Sequence, residues 1–203
     1  MRMKISETPF AFLLYDCVRE FGEEDGRKIY QEADDVFSKL EAESDYKGNE
    51  AIREHIQMKL LPPLAYYKAL LSVGYSRTEA LDYVRAEEKK TAEKKKESMS
   101  KMSRLPFAYS IYRMGVRKFM AKNFPEEGWK TEWVRCDGKE IHFNLHSCIY
   151  HDLCSKYGCP ELCTVFCEND EIAFSGLLPK IRFERSGTLG NGAECCDFHF
   201  RKG

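Results

Sequence analysis

The 203-residue chain has no apolar run close to the roughly 18 residues a membrane-spanning helix needs, so a membrane partner is not expected. It has no charge excess either. Lys plus Arg number 32 against 33 for Asp plus Glu, a formal net charge of −1, whereas general nucleic-acid binding needs a basic surplus to meet phosphates. There is no Cys-x-x-Cys pair, which removes the usual short zinc motifs. No internal repeat is visible, and the glycine-bearing loop near the C-terminus lacks the Lys-Ser/Thr of a phosphate cradle. Met1 to Lys4 precede an apolar patch from Pro9 to Val18 that loosely mimics a signal peptide. Asp16 interrupts that patch, no small-x-small cleavage site follows, and the residues before Cys17 are wrong for a lipoprotein box. The patch reads as a buried first helix.

What the chain does contain is core-forming material. Hydrophobic residues are 43% and aromatics 13%, enough to exclude a disordered chain and to build a single domain over 1–203. Nine cysteines in a chain without a leader make a poor disulfide framework and predict a reducing, cytoplasmic setting. Cys17 and His55 stand alone in the first 130 residues; the other eight Cys and four His fall between Cys136 and His199. Any polar chemistry is therefore expected in the last third.

The periodicity predicts helices over Glu7–Phe21, Glu24–Leu40 and Asn49–Val73, the last broken or kinked where Pro62-Pro63 remove two backbone donors. Gly74 is a plausible C-cap, and Ser76-Arg77-Thr78-Glu79 is a capping-box signature for the next helix. That helix enters a Lys/Glu-rich stretch, Arg85 to Lys101, which reads as a solvated face with i,i+3 ion pairs rather than a partner site. An amphipathic helix follows over Phe107–Asn123. The period then changes to strand, turn and strand over Trp129–Cys136, Asp137-Gly138 and Lys139–His146. Short helices over Ser147–Tyr157 and Pro160–Phe174 precede a last hairpin, Lys180–Arg185 and Glu194–Arg201. The expected class is α+β: a helical part, 1–124, packed on a roughly four-stranded antiparallel sheet with two short helices, 125–203. The amphipathic helices leave a homodimer open.

Three groups of residues are candidates for chemistry. Cys163, Cys167 and Asp170 share one helical face. A thiol with a carboxylate one turn away suits attack on an amidine-type carbon; equally, both cysteines are small core hydrophobes and Asp170 begins a solvated helix end. Cys148, His151 and Cys154 recur at steps of three, so a zinc site completed by Cys167 or Cys196 is an alternative, with Cys148, His151, Cys167 and Cys196 as its ligand set. His151 also has the chemistry of a general base. In the last strand Cys196 shares the core side with Phe198 and Phe200. Arg185 follows Ile181 and Phe183 onto an apolar face, where it either binds a substrate carboxylate or snorkels to water.

The C-terminal third carries an ordered set of motifs. They are Cys148-x-Tyr150, Gly158-Cys159-Pro160-Glu161-Leu162, Phe166-Cys167-x-x-Asp170, Phe183-x-Arg185-x-x-Thr188-Leu189 and Gly192-x-x-x-Cys196-Asp197-Phe198-x-Phe200. Leu60-Leu61-Pro62-Pro63-Leu64-Ala65-Tyr66-Tyr67 and Glu127-Gly128-Trp129 extend the set toward His55. The pattern resembles the L-2-amino-thiazoline-4-carboxylic acid hydrolase family. Its ending is also similar to small-molecule-binding domains of the vinyl-reductase/Golgi-transport type, some of which hold zinc through cysteines. The first resemblance implies a hydrolase that opens a cyclic isothiourea to N-carbamoyl-L-cysteine and needs no cofactor. It would use a nucleophile at C2, a carboxylate near the nitrogens, a proton for the leaving thiolate and a cation for the acid group. Cys167, Asp170, His151 and Arg185 are the candidates for these roles in that order, with Glu161 and Cys196 as further substrate-site candidates. A non-catalytic binding or sensor domain, with or without structural zinc, is the alternative.

Overall fold

A computed structural model describes residues 3–203. The chain is α+β, with helices mostly N-terminal and a four-stranded antiparallel sheet. It divides into two compact units, 1–88 and 89–203.

The first unit is helical. After a short 3-10 turn, Ile5–Glu7, helix α1 runs over Leu13–Phe21 rather than from Glu7. Pro9 is the reason: it holds Thr8 in an extended conformation (φ −106°, ψ 172°), and the Thr8 hydroxyl donates to the Ile5 carbonyl at 2.7 Å. Gly22, at φ +83°, turns the chain into α2, Glu23–Ala42. Helix α3, Glu50–Arg53, is opened by the Asn49 side chain, which accepts from the amides of Ala51 and Ile52.

The Asn49–Val73 stretch is not broken at its prolines. It passes from α3 into a π-helical segment, Glu54–Leu60, and on into α4, Leu61–Ser72, with prolines in its first turn. The Leu61 amide bonds back to the Ile56 carbonyl, five residues earlier. A widened turn absorbs the missing donors, so the register shifts and the helix survives. Helix α4 is buried over Leu61–Tyr67, Ala69 and Leu70. It ends as expected: Gly74 (φ +103°) donates to Leu71 O and Tyr75 to Leu70 O, a Schellman closure. The capping box also forms, with Ser76 N to Glu79 Oε2 at 2.9 Å and Glu79 N to Ser76 Oγ at 3.3 Å, opening α5, Arg77–Ser103.

The second unit holds the end of α5, helix α6 (Ala108–Asn123), strands β1 (Thr131–Cys136) and β2 (Glu140–Leu145), helices α7 (Ile149–Lys156) and α8 (Cys163–Ser175), and strands β3 (Ile181–Glu184) and β4 (Cys196–Lys202). Asp137 makes the first hairpin, its carboxylate accepting from the Lys139 and Glu140 amides at 2.8 and 3.1 Å. The sheet order is β1-β2-β4-β3, every pair antiparallel. Its inner face is aromatic: Phe143 stacks on Phe198 at 5.1 Å, and Phe174 of α8 meets Phe183 at 4.8 Å and Phe200 at 4.9 Å. Tyr112 of α6 joins Phe200 at 5.3 Å. The other face is polar, with His142 stacked on His199 at 3.8 Å and Glu140 accepting from His199 at 2.9 Å. Among the described residues no helix is long and apolar enough to cross a membrane.

Two glycines on helices have opposite surroundings. A Cβ on Gly26 would meet the Cys17 carbonyl oxygen at 2.4 Å, so α1 and α2 touch backbone to backbone there; a Cβ on Gly115 would meet nothing within 4 Å. Gly26→Ala should therefore lower the thermal midpoint despite the better helix former, a loss of about 2 kcal/mol or more. Gly115→Ala should raise it, a gain in stability of about 0.5–1 kcal/mol. Calorimetry of the two variants checks the contrast.

Candidate active site

The site is built on the first turns of α8. Pro160 opens a 3-10 turn over Pro160–Leu162, and α8 then starts at Cys163, which places Cys163, Cys167 and Asp170 on one face as the spacing predicts. That face lies against the inner side of β3 and β4. Arg185, one residue beyond β3, turns its side chain inward rather than snorkelling: only 3% of it is exposed. The guanidinium lies over the rings of Phe183 (5.6 Å) and Phe198 (5.3 Å). Its Nη1 donates to Asp170 Oδ2 at 3.1 Å, and its Nη2 to the Cys167 carbonyl at 2.8 Å and to Glu171 Oε1 at 3.3 Å.

The connection between β3 and β4 is more than a link between strands. Asp197 anchors its start by accepting from the amides of Ser186 (3.1 Å) and Gly187 (2.8 Å) and from the Ser186 hydroxyl. Thr188, buried, accepts from the Asn191 amide at 3.1 Å, and its hydroxyl is among the groups that lower the Cys167 thiol. The Leu189 amide donates to Cys196 Sγ at 3.2 Å. A Cβ on Gly190 would stand 3.2 Å from both Cys163 Sγ and Cys167 Sγ. The absence of a side chain there lets the loop close over the two thiols.

These neighbours divide the cysteines. The Cys163 thiol donates to the Cys167 sulfur, and this bond, with the Thr188 hydroxyl and the nearby Arg185 charge, outweighs burial and Asp170 and draws Cys167 down to about 7. The same bond, with burial, drives Cys163 far above the usual thiol range. Burial pushes Cys196 up to about 11 and Cys148 up to about 12. Cys154 is also pushed well up, by its bond to Cys159 and by burial. Burial raises Asp170 as well, against the pull of Arg185 and Lys95; with 39% of its side chain open, this carboxylate remains in reach of solvent.

The fold thus gathers Cys167, Asp170, Arg185 and Cys196, and adds Cys163, Thr188 and Gly190. The other candidates have these places. His151 sits on α7 with Nδ1 3.4 Å from Asp152 Oδ1 and over a third of its side chain exposed; it is not among the groups acting on Cys167. Glu161 lies on the 3-10 turn, where its carbonyl accepts from the Thr164 hydroxyl at 2.8 Å. The zinc set of Cys148, His151, Cys167 and Cys196 is not assembled: among the described residues no three or more Cys, His, Asp or Glu are placed to hold a metal ion. The side chains stand on different elements: Cys148 precedes α7, His151 lies half-exposed on it, Cys167 is on α8 and Cys196 in β4. The weight of Thr188 and Gly190 was missed because their roles depend on a loop closing over α8. Their only signal was a small residue two positions after a hydroxyl in the Thr188-Leu189-Gly190 stretch. An open cleft of about 420 Å³ borders the site, with Glu171, Phe174, Phe183 and Arg185 along it.

Thr188→Val keeps the shape and removes the hydroxyl donor to Cys167. The midpoint for thiolate formation at Cys167, followed by ultraviolet absorbance in a variant series, should rise from about 7 by about one unit. Ser186→Ala, which touches only the loop anchor, should leave it in place.

The family model described as L-2-amino-thiazoline-4-carboxylic acid hydrolase matches residues 52–200, well over half of the chain and including the whole site. No curated protein and no solved structure matches it.

Proposed function

The chain belongs to the L-2-amino-thiazoline-4-carboxylic acid hydrolase family, and on that premise we propose that it hydrolyses a small cyclic amidine carboxylic acid, with Cys167 as nucleophile. The observation that carries this reading is the convergence of Cys167 and Asp170 of α8 on the buried Arg185, beneath a loop that closes over the Cys163 and Cys167 sulfurs at Gly190. Cys148, Cys154, Cys163 and Cys196 are all held protonated at neutral pH, whereas Cys167 is held near 7 by directed donors. A thiol drawn toward neutral pH beside a carboxylate and a cation is what nucleophilic attack needs.

In the proposed reaction on L-2-amino-thiazoline-4-carboxylate, the Cys167 thiolate attacks C2. The C2–S bond of the ring then breaks, and the departing sulfur takes a proton to become a free thiol. The carbon is left as an isothiouronium on Cys167. Water adds to that carbon, the Cys167 sulfur leaves as thiolate, and the product is N-carbamoyl-L-cysteine; one water is consumed in all. The Cys163 and Thr188 donors hold the thiolate before attack and receive it again after release. Asp170 gives one carboxylate oxygen, Oδ2, to Arg185 and has the other to pair with the amidinium of the substrate.

Arg185 keeps the role of carboxylate binder by exchange. Of its two acidic partners, Glu171 is the weaker, 66% exposed, and an exposed ion pair contributes little. The substrate carboxylate replaces Glu171, not Asp170. His151 has no part in this scheme as it stands, and the proton for the leaving thiol comes from Cys163 or water.

Product formation by the purified chain, read as N-carbamoyl-L-cysteine by chromatography, tests the reaction. Cys167→Ala should lose at least about a thousandfold in kcat/KM. In the unmodified protein kcat/KM should climb as pH rises through about 7 and level off above, because the active form is the thiolate. Glu171→Gln should lower KM with kcat kept. Full activity in Cys167→Ala would leave direct attack by water as the mechanism. Binding without turnover would make the domain a sensor.

A further inference from the structure

The near-zero net charge conceals a segment of one sign. From Ser98 to Pro125 the chain carries Lys101, Arg104, Arg113, Arg117, Lys118 and Lys122 and no Asp or Glu. Helix α6 occupies most of this segment. One of its faces is committed: Tyr109, Val116 and Met120 are buried, and the Tyr109 hydroxyl donates to the Asp137 carbonyl at 2.9 Å. The opposite face carries Ile111 and Met114, and Phe107, in a left-handed conformation just before the helix, is exposed at its start; Phe107 is 85% and Met114 79% exposed. Leu105 before the helix and Phe119 on its shoulder add to the exposed apolar surface. Lys118 continues the Ile111–Met114 line by one turn, Arg104 and Lys122 are exposed beside it, and Arg117 lies over the Trp133 ring at 4.5 Å.

We propose that this face of α6 docks the protein on an anionic phospholipid surface. Large apolar side chains on one face of a helix, edged by cations and free of carboxylates, are the chemistry of a helix lying in the headgroup layer. The apolar row enters the acyl boundary while the long Lys and Arg side chains reach lipid phosphates. A second copy of the chain is the poorer occupant. Two-fold pairing of this face brings cations against cations, with no acidic residue in the segment to separate them. The net charge of −1 argued against an anionic partner, but it averages over a chain whose acidic residues lie elsewhere. The proposal does not depend on the hydrolase reading.

Sedimentation of the full chain with vesicles tests it. Vesicles of phosphatidylcholine alone are compared with vesicles in which about a third of the lipid is phosphatidylserine. Binding at least tenfold stronger to the anionic vesicles, falling as salt is raised, is the expected result. Lys118→Glu with Lys122→Glu should erase the preference for anionic lipid. Phe107→Ser with Met114→Ser, at two exposed positions, should weaken binding tenfold or more while leaving the thermal midpoint in place. Absence of binding, equal binding to both vesicles, or indifference to Phe107→Ser with Met114→Ser would overturn the proposal. So would a dimer in light scattering that these serines dissolve without any vesicle binding, an outcome that gives the face to a second copy.

Discussion

Burying the Arg185 guanidinium between aromatic rings takes a full charge out of water, and most of the site's geometry follows from how that charge is met. A cation left alone there would be strongly destabilising. It is met from α8, by the Asp170 and Glu171 carboxylates and the Cys167 carbonyl. These three acceptors lie within one turn of helix, so the pairing sets both the depth and the rotation of α8 against β3 and β4. Once α8 is set in this way, the Cys163–Cys167–Asp170 face can point nowhere but at the sheet. Asp170 and Glu171 lie at the open edge of the pair, which places the ion pair at the border of the cleft rather than deep in the core.

The second constraint is proton ownership. Two thiols one turn apart under a closed loop cannot both ionise cheaply, and the surrounding donors decide which one does. Thr188 and Arg185 act on Cys167, and its hydrogen bonding with Cys163 lowers Cys167 while raising Cys163, so of these two sulfurs Cys167 is the one that loses its proton first. Gly190 makes this possible sterically, because any side chain there would press on both sulfur atoms. The loop itself is held by Asp197 at its start and by the Thr188–Asn191 turn in its middle. The thiol environment and the loop anchor are thus one hydrogen-bonded assembly. That connection is why residues outside α8 matter to the chemistry proposed for Cys167.

Much of the architecture was legible because it rests on local rules. The Gly74 closure, the Ser76–Glu79 box, the Asp137-Gly138 turn and the alternation of Ile141, Phe143 and Leu145 all appear where spacing puts them. One local reading failed and one was narrowed, each for an identifiable reason. Thr8-Pro9 delays α1 because proline restricts the residue before it. The prolines in the Asn49–Val73 stretch shift the helical register through a π turn rather than breaking it, since the surrounding burial favours continuous helix. In the site, the shared face of Cys163, Cys167 and Asp170 and the inward side of Cys196 could be read directly, because helical and strand periods determine them. The place of His151 could not. Its spacing from Cys148 is right for a shared face only if both lie in helix, and Cys148 stands before α7 in an extended conformation; within α7, His151 is half-buried while Cys154 is fully buried.

By itself, the sequence determined the class of fold, the helical and strand segments, the family, and the side of each element on which its thiols and carboxylates lie. Apart from the family, which rests on an ordered set of motifs, these are properties of neighbours along the chain, set by period, capping and turn chemistry. Only the tertiary structure decided that Arg185 is paired rather than solvated, that Thr188 and Gly190 belong to the thiol site, and that Cys167 is the thiol whose proton is loosened. Each of these depends on groups far apart in sequence meeting within a few ångströms. Electrostatic and hydrogen-bond energies fall off over that distance, and no local pattern encodes it.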